Sequence, residues 1–395
     1  MELQHLRIQN FRNLQHVEFA PSPRFNILHG ANGQGKTNLL EAIYLLSAVK
    51  SFRNSRNADL ITWDLSNASI EGCVDRAGQQ RIARVDIASS GKRVYLNGSL
   101  VRQLSLFFGT LNTIVFSADD LLIIKGRPGD RRQFLNRAVF SARPSYLADL
   151  QAYEHVLKQR NALLRNSRQH STLLEVYNEQ LSELGALLVQ RRVEFLIEFE
   201  PFFRRAFQSI FVGSLSPLQD SLLSTSLSYL VPWSPRRHFE FSLNLEAPSP
   251  AELQSQLFLA LERSVTEDTR RGFTTVGPHR DDLLIQLGDR SARSFASQGQ
   301  MRAIILALKI AQIQLVEHRH QHTPILLLDD VSSELDRSRN RFLFSFLDEH
   351  KGQVFITTTH RDFIRLDHDV ISFGIERGEL SSEASSHALN TTTCA

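Results

Sequence analysis

Cysteine is nearly absent: Cys73 and Cys394 are the only two in 395 residues, far apart and without metal-ligand spacing. That excludes a disulfide-stapled scaffold and makes a reducing cytoplasm the expected location. Runs approaching the ~18–20 apolar residues that a membrane span needs are not evident. Met1-Glu2-Leu3-Gln4-His5-Leu6 has neither the apolar centre of a signal peptide nor the Arg/Ser bias of a transit peptide. An excess of one charge is also missing, with a net of only +3. Bulk charge therefore does not argue for nucleic acid; clustering would have to. What is present is 42% apolar residues, enough for a sizeable core. The length suits two or three domains, or one large α/β domain with an insertion.

The sharpest signal is Gly30-Ala31-Asn32-Gly33-Gln34-Gly35-Lys36-Thr37, which fits Gly-x4-Gly-Lys-Thr. Arg24 to Leu28 before it reads as a short buried strand. Asn38 to Ser47 after it reads as a helix with Leu39, Leu40, Ile43 and Leu46 on one face. This strand–loop–helix context separates a phosphate loop from a glycine-rich turn. Glycines let the backbone wrap an anion with its amides pointing inward, and the helix N-terminus adds its dipole. Lys36 is expected at the β- and γ-phosphates, and Thr37 is expected to offer its hydroxyl to Mg²⁺. The ligand is a nucleoside triphosphate.

Three strand-like pieces, Leu3–Ile8, Val17–Ala20 and Phe25–Leu28, open the chain. The turn Asn10-Phe11-Arg12-Asn13 carries an aromatic that reads as exposed, and an Arg12 expected near the nucleotide. The basic segment Lys50 to Arg56 is either a solvated loop or a phosphate-backbone contact. From Ala68 to Val101 apolar residues alternate, and Asn97-Gly98 signals a two-residue hairpin, so an antiparallel meander is expected there. Leu111 to Phe116 reads as a further strand.

Heptad-like spacing from Tyr146 to Leu164 and from Leu173 to Phe195 predicts an antiparallel helical hairpin. Its Lys158, Arg160, Arg165, Arg168, Arg191 and Arg192 read as solubilising charges, with DNA contact as the minority reading. Residues 213–235 show little pattern; His238 to Leu245 alternates as a strand. Ser249-Pro250-Ala251-Glu252 predicts a capping box opening a helix to about Glu267. The tail from Leu380 is expected to be disordered. Trp63 and Trp233 read as packing residues. His318, His320 and His322 suit the negative end of a helix better than a metal.

Ile325-Leu326-Leu327-Leu328-Asp329-Asp330 is an apolar strand ending in two carboxylates, a Walker B pattern. Asp329 is expected to hold Mg²⁺, and Asp330 to orient or deprotonate the attacking water. Upstream, Ser297-Gln298-Gly299-Gln300 opens an apolar helix, Met301 to Val316. Downstream come Ser333-Glu334-Leu335-Asp336 and the strand Val354–Thr357, with His360 past its end.

This order of motifs resembles the ABC-type ATPase heads. Lys36 and Asp329 lie 293 positions apart, leaving room for an insertion shorter than the coiled coil of SMC-like proteins. Several stretches together narrow the resemblance to the RecF family of bacterial repair ATPases. They are Leu6 to Asn13, the loop helix through Glu41-Ala42-Ile43, Phe116 to Leu121, Gly277 to Leu283, and Leu328 to Asp336.

The resemblance implies an α/β ABC-type ATPase head, a P-loop mixed sheet with an antiparallel meander, plus an inserted and mainly helical lobe. Residues 1–116 and 272–379 would form the head, 117–271 the lobe and 380–395 the tail. It further implies ATP with Mg²⁺, and a head-to-tail homodimer gated by ATP. Ser297, Gly299 and Gln300 would close on the γ-phosphate held by the other subunit, and His360 would sense it. Implied partners are double-stranded, gapped or junction DNA, RecR, and the RecO/RecA pathway. The implied work is RecA loading, replication restart and SOS induction.

Two departures stand out. Asp330 replaces the Glu of most ABC heads, and its shorter arm is consistent with slow hydrolysis used as a switch; stimulation of the ATPase by DNA is expected from the resemblance. No Gln-loop is evident, with Asp119-Asp120 in its region. Two other classes compete. A transporter ATPase subunit shares the motifs but has a Gln-loop and lacks the insertion. A nuclease fused to a P-loop head would need a further acidic metal site, yet little chain follows His360 to build one, and Asp119-Asp120 and Asp281-Asp282 read as loop and strand-start charges that need no metal.

Overall fold

The structure is a computed structural model and describes residues 1–53, 55–165, 171–211, 224–240, 247–331, 335–359 and 370–383. The chain divides into two compact units, Met1–Ala118 with Val316–Ala395, and Asp119–Leu315.

The first unit is built on two sheets. In one, the strands Val370–Glu376, Phe25–His29, Val354–Thr358, Ile325–Asp329 and Thr113–Phe116 lie parallel in that order. Glu379–Glu383 adds an antiparallel edge where a disordered tail was expected to begin; residues 384–395 lie outside the described residues. Phe-Asn-Ile-Leu-His and Ile-Leu-Leu-Leu-Asp are nearly continuous apolar runs because strands covered on both faces need apolar side chains on both.

The second sheet is antiparallel, in the order Leu14–Phe19, Glu2–Phe11, Asn67–Arg76, Gln79–Ala88, Gly91–Leu96, Ser99–Leu100. Asn97 and Gly98 take φ of 49° and 77°, the left-handed pair that a two-residue hairpin turn requires. Phe11 is fully buried, not exposed: it breaks the alternation of Leu6 and Ile8, following Asn10 with its left-handed φ of 55°, and it bridges Ile61. The loop helix, Lys36–Ala48, packs against strands of both sheets. It is therefore buried on nearly every side, where a single apolar face was expected.

In the second unit Tyr146–Arg165 and Ser171–Phe211 form the expected antiparallel pair. Their contacts fix the direction: Tyr146 with Arg192, Asp149 with Arg191, Arg160 with Asn178. The second helix continues to Phe211 through Pro201, because Phe195, Phe199, Phe203 and Phe207 extend the buried stripe at steps of four. Arg160 and Arg192 are core residues, contrary to both readings of their charge. Arg160 pairs with Asp268 at 2.7 Å and with Asn178 and Thr274. Arg192 bonds the hydroxyls of Tyr146 and Tyr229 and the carbonyl of Pro278.

A four-stranded sheet, in the order His238–Glu240, Thr225–Leu230, Asp282–Leu287, Arg290–Ser291, belongs to this unit. Thr225–Leu230 lies in the stretch that read as unpatterned, because its Ser and Thr positions include buried ones. The end of the strand expected to Leu245 falls outside the described residues. The helix Pro250–Arg271 starts with Pro250 as expected, but Ser249 makes no side-chain cap bond. Residues 272–315 fall in this unit and not in the head, since Asp282–Leu287 pairs with Thr225–Leu230 and Asp282 bonds Arg131 at 2.7 Å. The helix Gln298–His320 is long and apolar enough to cross a membrane by length and composition. With 72% of that apolar window buried inside the protein, it has the character of a core helix.

Candidate functional site

The phosphate loop follows the strand Phe25–His29 at the carboxyl ends of the parallel strands, where open α/β sheets leave room for ligands. Two glycines are dictated by close approach. A Cβ on Gly30 would sit 2.3 Å from the Ile375 carbonyl oxygen, and one on Gly35 would meet Asn13 and Leu14 at 3.0 Å. Gln34 is gripped from two sides. Arg377 N–H donates to its Oε1 at 2.6 Å, and Gly378 N–H and Asn13 Nδ2 each donate to its carbonyl at 3.0 Å. Asn38 Nδ2 donates to Asn13 Oδ1 at 2.7 Å, which ties the loop helix to the same support. Gly35 caps the helix without a side-chain bond, so first-turn amides are left for an anion.

Lys36 Nζ donates to the Gly30 and Ala31 carbonyls at 2.6 and 2.8 Å, folded across the loop it serves. Burial holds its pKa below the usual lysine range, opposed by the charges of Asp330 and Asp329. Thr37 Oγ1 donates to Asp329 Oδ1 at 2.8 Å, and Thr357 Oγ1 donates to the same oxygen at 2.9 Å. Burial raises the Asp329 pKa above the carboxylate range, against both hydroxyls. Asp330 takes φ of 51°, and its N–H donates to Thr357 Oγ1 at 2.9 Å. A hydroxyl and a carboxylate at hydrogen-bond distance form the hard oxygen set that suits Mg²⁺.

Arg12 is placed differently from expectation. Its guanidinium binds Glu41 in a bidentate pair, both contacts 2.8 Å, and donates to the Asp59 carbonyl at 3.0 Å. Glu41 is fully buried in the loop helix, and Ser51 bonds it as well. Arg12 is thus committed to holding the helix. A lone acid inside Leu-Leu-Glu-Ala-Ile was the sequence signal for this pairing. The basic segment is likewise tied down in part, with Arg53 Nη1 donating to Asn38 Oδ1 at 3.1 Å. Thr357 and Asn13 are the support residues that the motifs did not name.

Ser297, Gly299 and Gln300 lie in the second unit. Ser297 N–H donates to Gln300 Oε1 at 2.8 Å and Gln300 N–H to Ser297 Oγ at 3.2 Å, a reciprocal capping box at a helix start. His360 lies outside the described residues, as do Ser333 and Glu334. Three of these four acids are engaged: Asp120 bonds Lys309 at 2.7 Å, Asp282 bonds Arg131, and Asp281 accepts from Tyr229 and Trp233, while Asp119 is exposed. These acids thus behave as loop and strand-start charges, as expected of them. His320 and His322 stack at 5.3 Å, and no metal-ready group of three His, Cys, Asp or Glu occurs among the described residues. Trp63 is 92% exposed, so the packing reading fails for it.

Fold and loop together define a P-loop ATPase head with an inserted lobe. The family model RecF/RecN/SMC N terminal domain matches residues 2–381. The DNA replication and repair protein RecF of Citrifermentans bemidjiense is 40% identical over 382 residues, 96% of this chain and 100% of its own. That of Geobacter sulfurreducens is 40% identical over 383 residues, 96% of this chain and 100% of its own. A solved structure of the recombination mediator protein RecF-ATPrS in the RecFOR pathway superposes with a TM-score of 0.84. Its identity is 29%, over 97% of this chain and 98% of that one. The chain belongs to the RecF family. The transporter reading is set aside on that ground.

Proposed function

We propose that this protein is an ATP-gated DNA-binding ATPase of recombinational repair, with hydrolysis serving as a switch. One observation carries the reading. The phosphate loop, the Thr37 hydroxyl and the Asp329 carboxylate converge in a chain of the RecF family, whose relative was solved as RecF-ATPrS.

ATP phosphates enter the amide cradle of residues 30–37 once Lys36 leaves the Gly30 and Ala31 carbonyls. Its ammonium then neutralises phosphate charge at that place. Thr37 and Asp329 would hold Mg²⁺, which would supply neutralisation of phosphate charge. Asp330 orients water, helped by the Thr357 bond that fixes its backbone. In the bound dimer Ser297, Gly299 and Gln300 present a helix N-terminus to the γ-phosphate on the other subunit, where His360 also reads it. Loss of the γ-phosphate removes the ligand that favours the closed dimer.

The partners are gapped or junction DNA with its double-stranded flank, RecR, and the RecO/RecA pathway. The work is RecA loading, replication restart and SOS induction in the cytoplasm. The test is binding of gapped DNA with and without ATP at two salt concentrations. ATP-dependent affinity that falls steeply with salt supports the reading. Equal binding with and without ATP sinks the gating.

A further inference from the structure

We infer that the turn Thr62–Leu65 and the groove beside it form a docking surface for single-stranded nucleic acid, with the Trp63 indole as the platform for a stacked base. This rests on the DNA-binding reading above and specifies where an unpaired strand lies.

Trp63 is 92% exposed, and Leu65 two positions on is 48% exposed. Leaving an indole in water forgoes the burial energy that normally draws it inward. The turn that carries it is firmly held. Leu65 N–H donates to the Thr62 carbonyl at 3.1 Å, and Thr62 N–H to the Asn10 carbonyl at 2.9 Å. Arg12 N–H bonds the Leu60 carbonyl at 3.0 Å, Phe11 bridges Ile61, and Asp64 takes the left-handed φ of 65°. An anchored aromatic loses little entropy on binding, which is the condition for a useful platform.

Asn10 also lines a groove of about 630 Å³ on the antiparallel sheet, together with Asn67, Arg84, Asp86, Lys92 and Arg93. The lining is polar and carries three basic residues against one acidic one. Arg84 lies 4.2 Å over the Tyr95 ring and 3.3 Å from Asp86, Lys92 donates to the Val49 carbonyl, and Arg93 is exposed. In the basic segment that Arg12 ties to the same turn through Ser55, the Arg56 side chain is 86% exposed and pairs with Asp59 at 3.2 Å. This combination fits a ligand that offers negative charge and bare aromatic faces together. Duplex DNA offers the charge but keeps its base faces stacked. A protein partner would call for an apolar groove next to the indole, and this groove is polar. A single strand satisfies both features.

The experiment uses the full chain, an oligothymidylate of about 20 nucleotides and a duplex of equal length, with Trp63→Ala and Trp63→Phe. Indole emission reports contact directly, since Trp233 is half-buried and already donates to Asp281. Oligothymidylate is expected to quench wild-type emission. Trp63→Ala is expected to weaken its binding about 5- to 150-fold, while Trp63→Phe keeps most of it and duplex affinity holds. Undiminished oligothymidylate binding by Trp63→Ala overturns this surface and leaves the proposed function standing. A wild-type protein that binds neither DNA with ATP and Mg²⁺ present overturns both.

Discussion

Thr37 Oγ1 donates to Asp329 Oδ1 across 2.8 Å, joining residues 292 positions apart. Thr357 completes the cluster from the neighbouring strand, whose Thr357 pairs with both Asp329 and Leu28 in register. Strand order therefore assembles the site, and the long insertion leaves it intact because it enters between strands that still lie side by side.

Asp329→Ala deletes the acceptor of two hydroxyls and the proposed Mg²⁺ ligand. ATP affinity in the presence of Mg²⁺ is expected to fall at least about 10-fold, with little change when Mg²⁺ is chelated. Calorimetric titration measures both. Equal losses with and without Mg²⁺ would show that the carboxylate shapes the loop and does not serve the ion.

Glu41→Ala strips a buried partner from Arg12. A loss of about 3–5 kcal/mol in urea unfolding is expected, since an uncompensated guanidinium is left against the loop helix. A loss under about 1 kcal/mol would mean that water reaches Arg12 and the pair is dispensable.

The loop glycines separate cleanly. At Gly30 a Cβ strikes the Ile375 carbonyl at 2.3 Å, whereas at Gly33, with φ of 80°, it meets nothing within 4 Å. Gly30→Ala is expected to displace the loop and abolish nucleotide binding. Gly33→Ala should cost only the left-handed strain of about 1–2 kcal/mol and keep the fold. Thermal melts with and without ATP distinguish them; a Gly30→Ala protein with a wild-type ATP shift would contradict the packing.

His279 links stability to pH. A neutral ring both accepts from Tyr153 and donates to the Thr274 carbonyl, and burial holds its pKa down to about 4, with Arg280, Arg132 and Arg192 acting the same way. A histidine depressed in the folded state contributes stability that is full above pH 6.5 and lost as pH falls to about 4. The loss is roughly 3 kcal/mol on this account. Asp281, raised to about 7 by burial, acts oppositely as pH falls below neutrality. The difference between wild type and His279→Asn isolates the histidine, because Asp281 is present in both. Parallel stability curves from pH 7 to 4 would refute the assignment.

The loop, the Walker B strand and the meander were legible because each is local: glycine spacing, a continuous apolar run, alternation and an Asn-Gly turn. What escaped reading depends on contacts distant in sequence. Arg12 reads as a residue near the nucleotide because nothing local shows that Glu41 claims two of its guanidinium nitrogens and the Asp59 carbonyl the third. Arg160 and Arg192 read as surface charges because Asp268, Tyr229 and Pro278 come from far along the chain. The strand Thr225–Leu230 hid behind its serines, and with it the reason residues 272–315 leave the head. Trp63 reads as a packing residue from its chemistry, yet it is 92% exposed on a hydrogen-bonded turn.

The most direct measurement is the solution mass by light scattering with and without ATP and Mg²⁺, for wild type and Lys36→Ala. Lys36 spans the phosphate loop yet contributes only its own ammonium to the carbonyls of Gly30 and Ala31. Wild type is expected to double in mass with ATP, and Lys36→Ala to stay at the mass of one chain. A Lys36→Ala protein that still doubles with ATP would contradict gating through this loop.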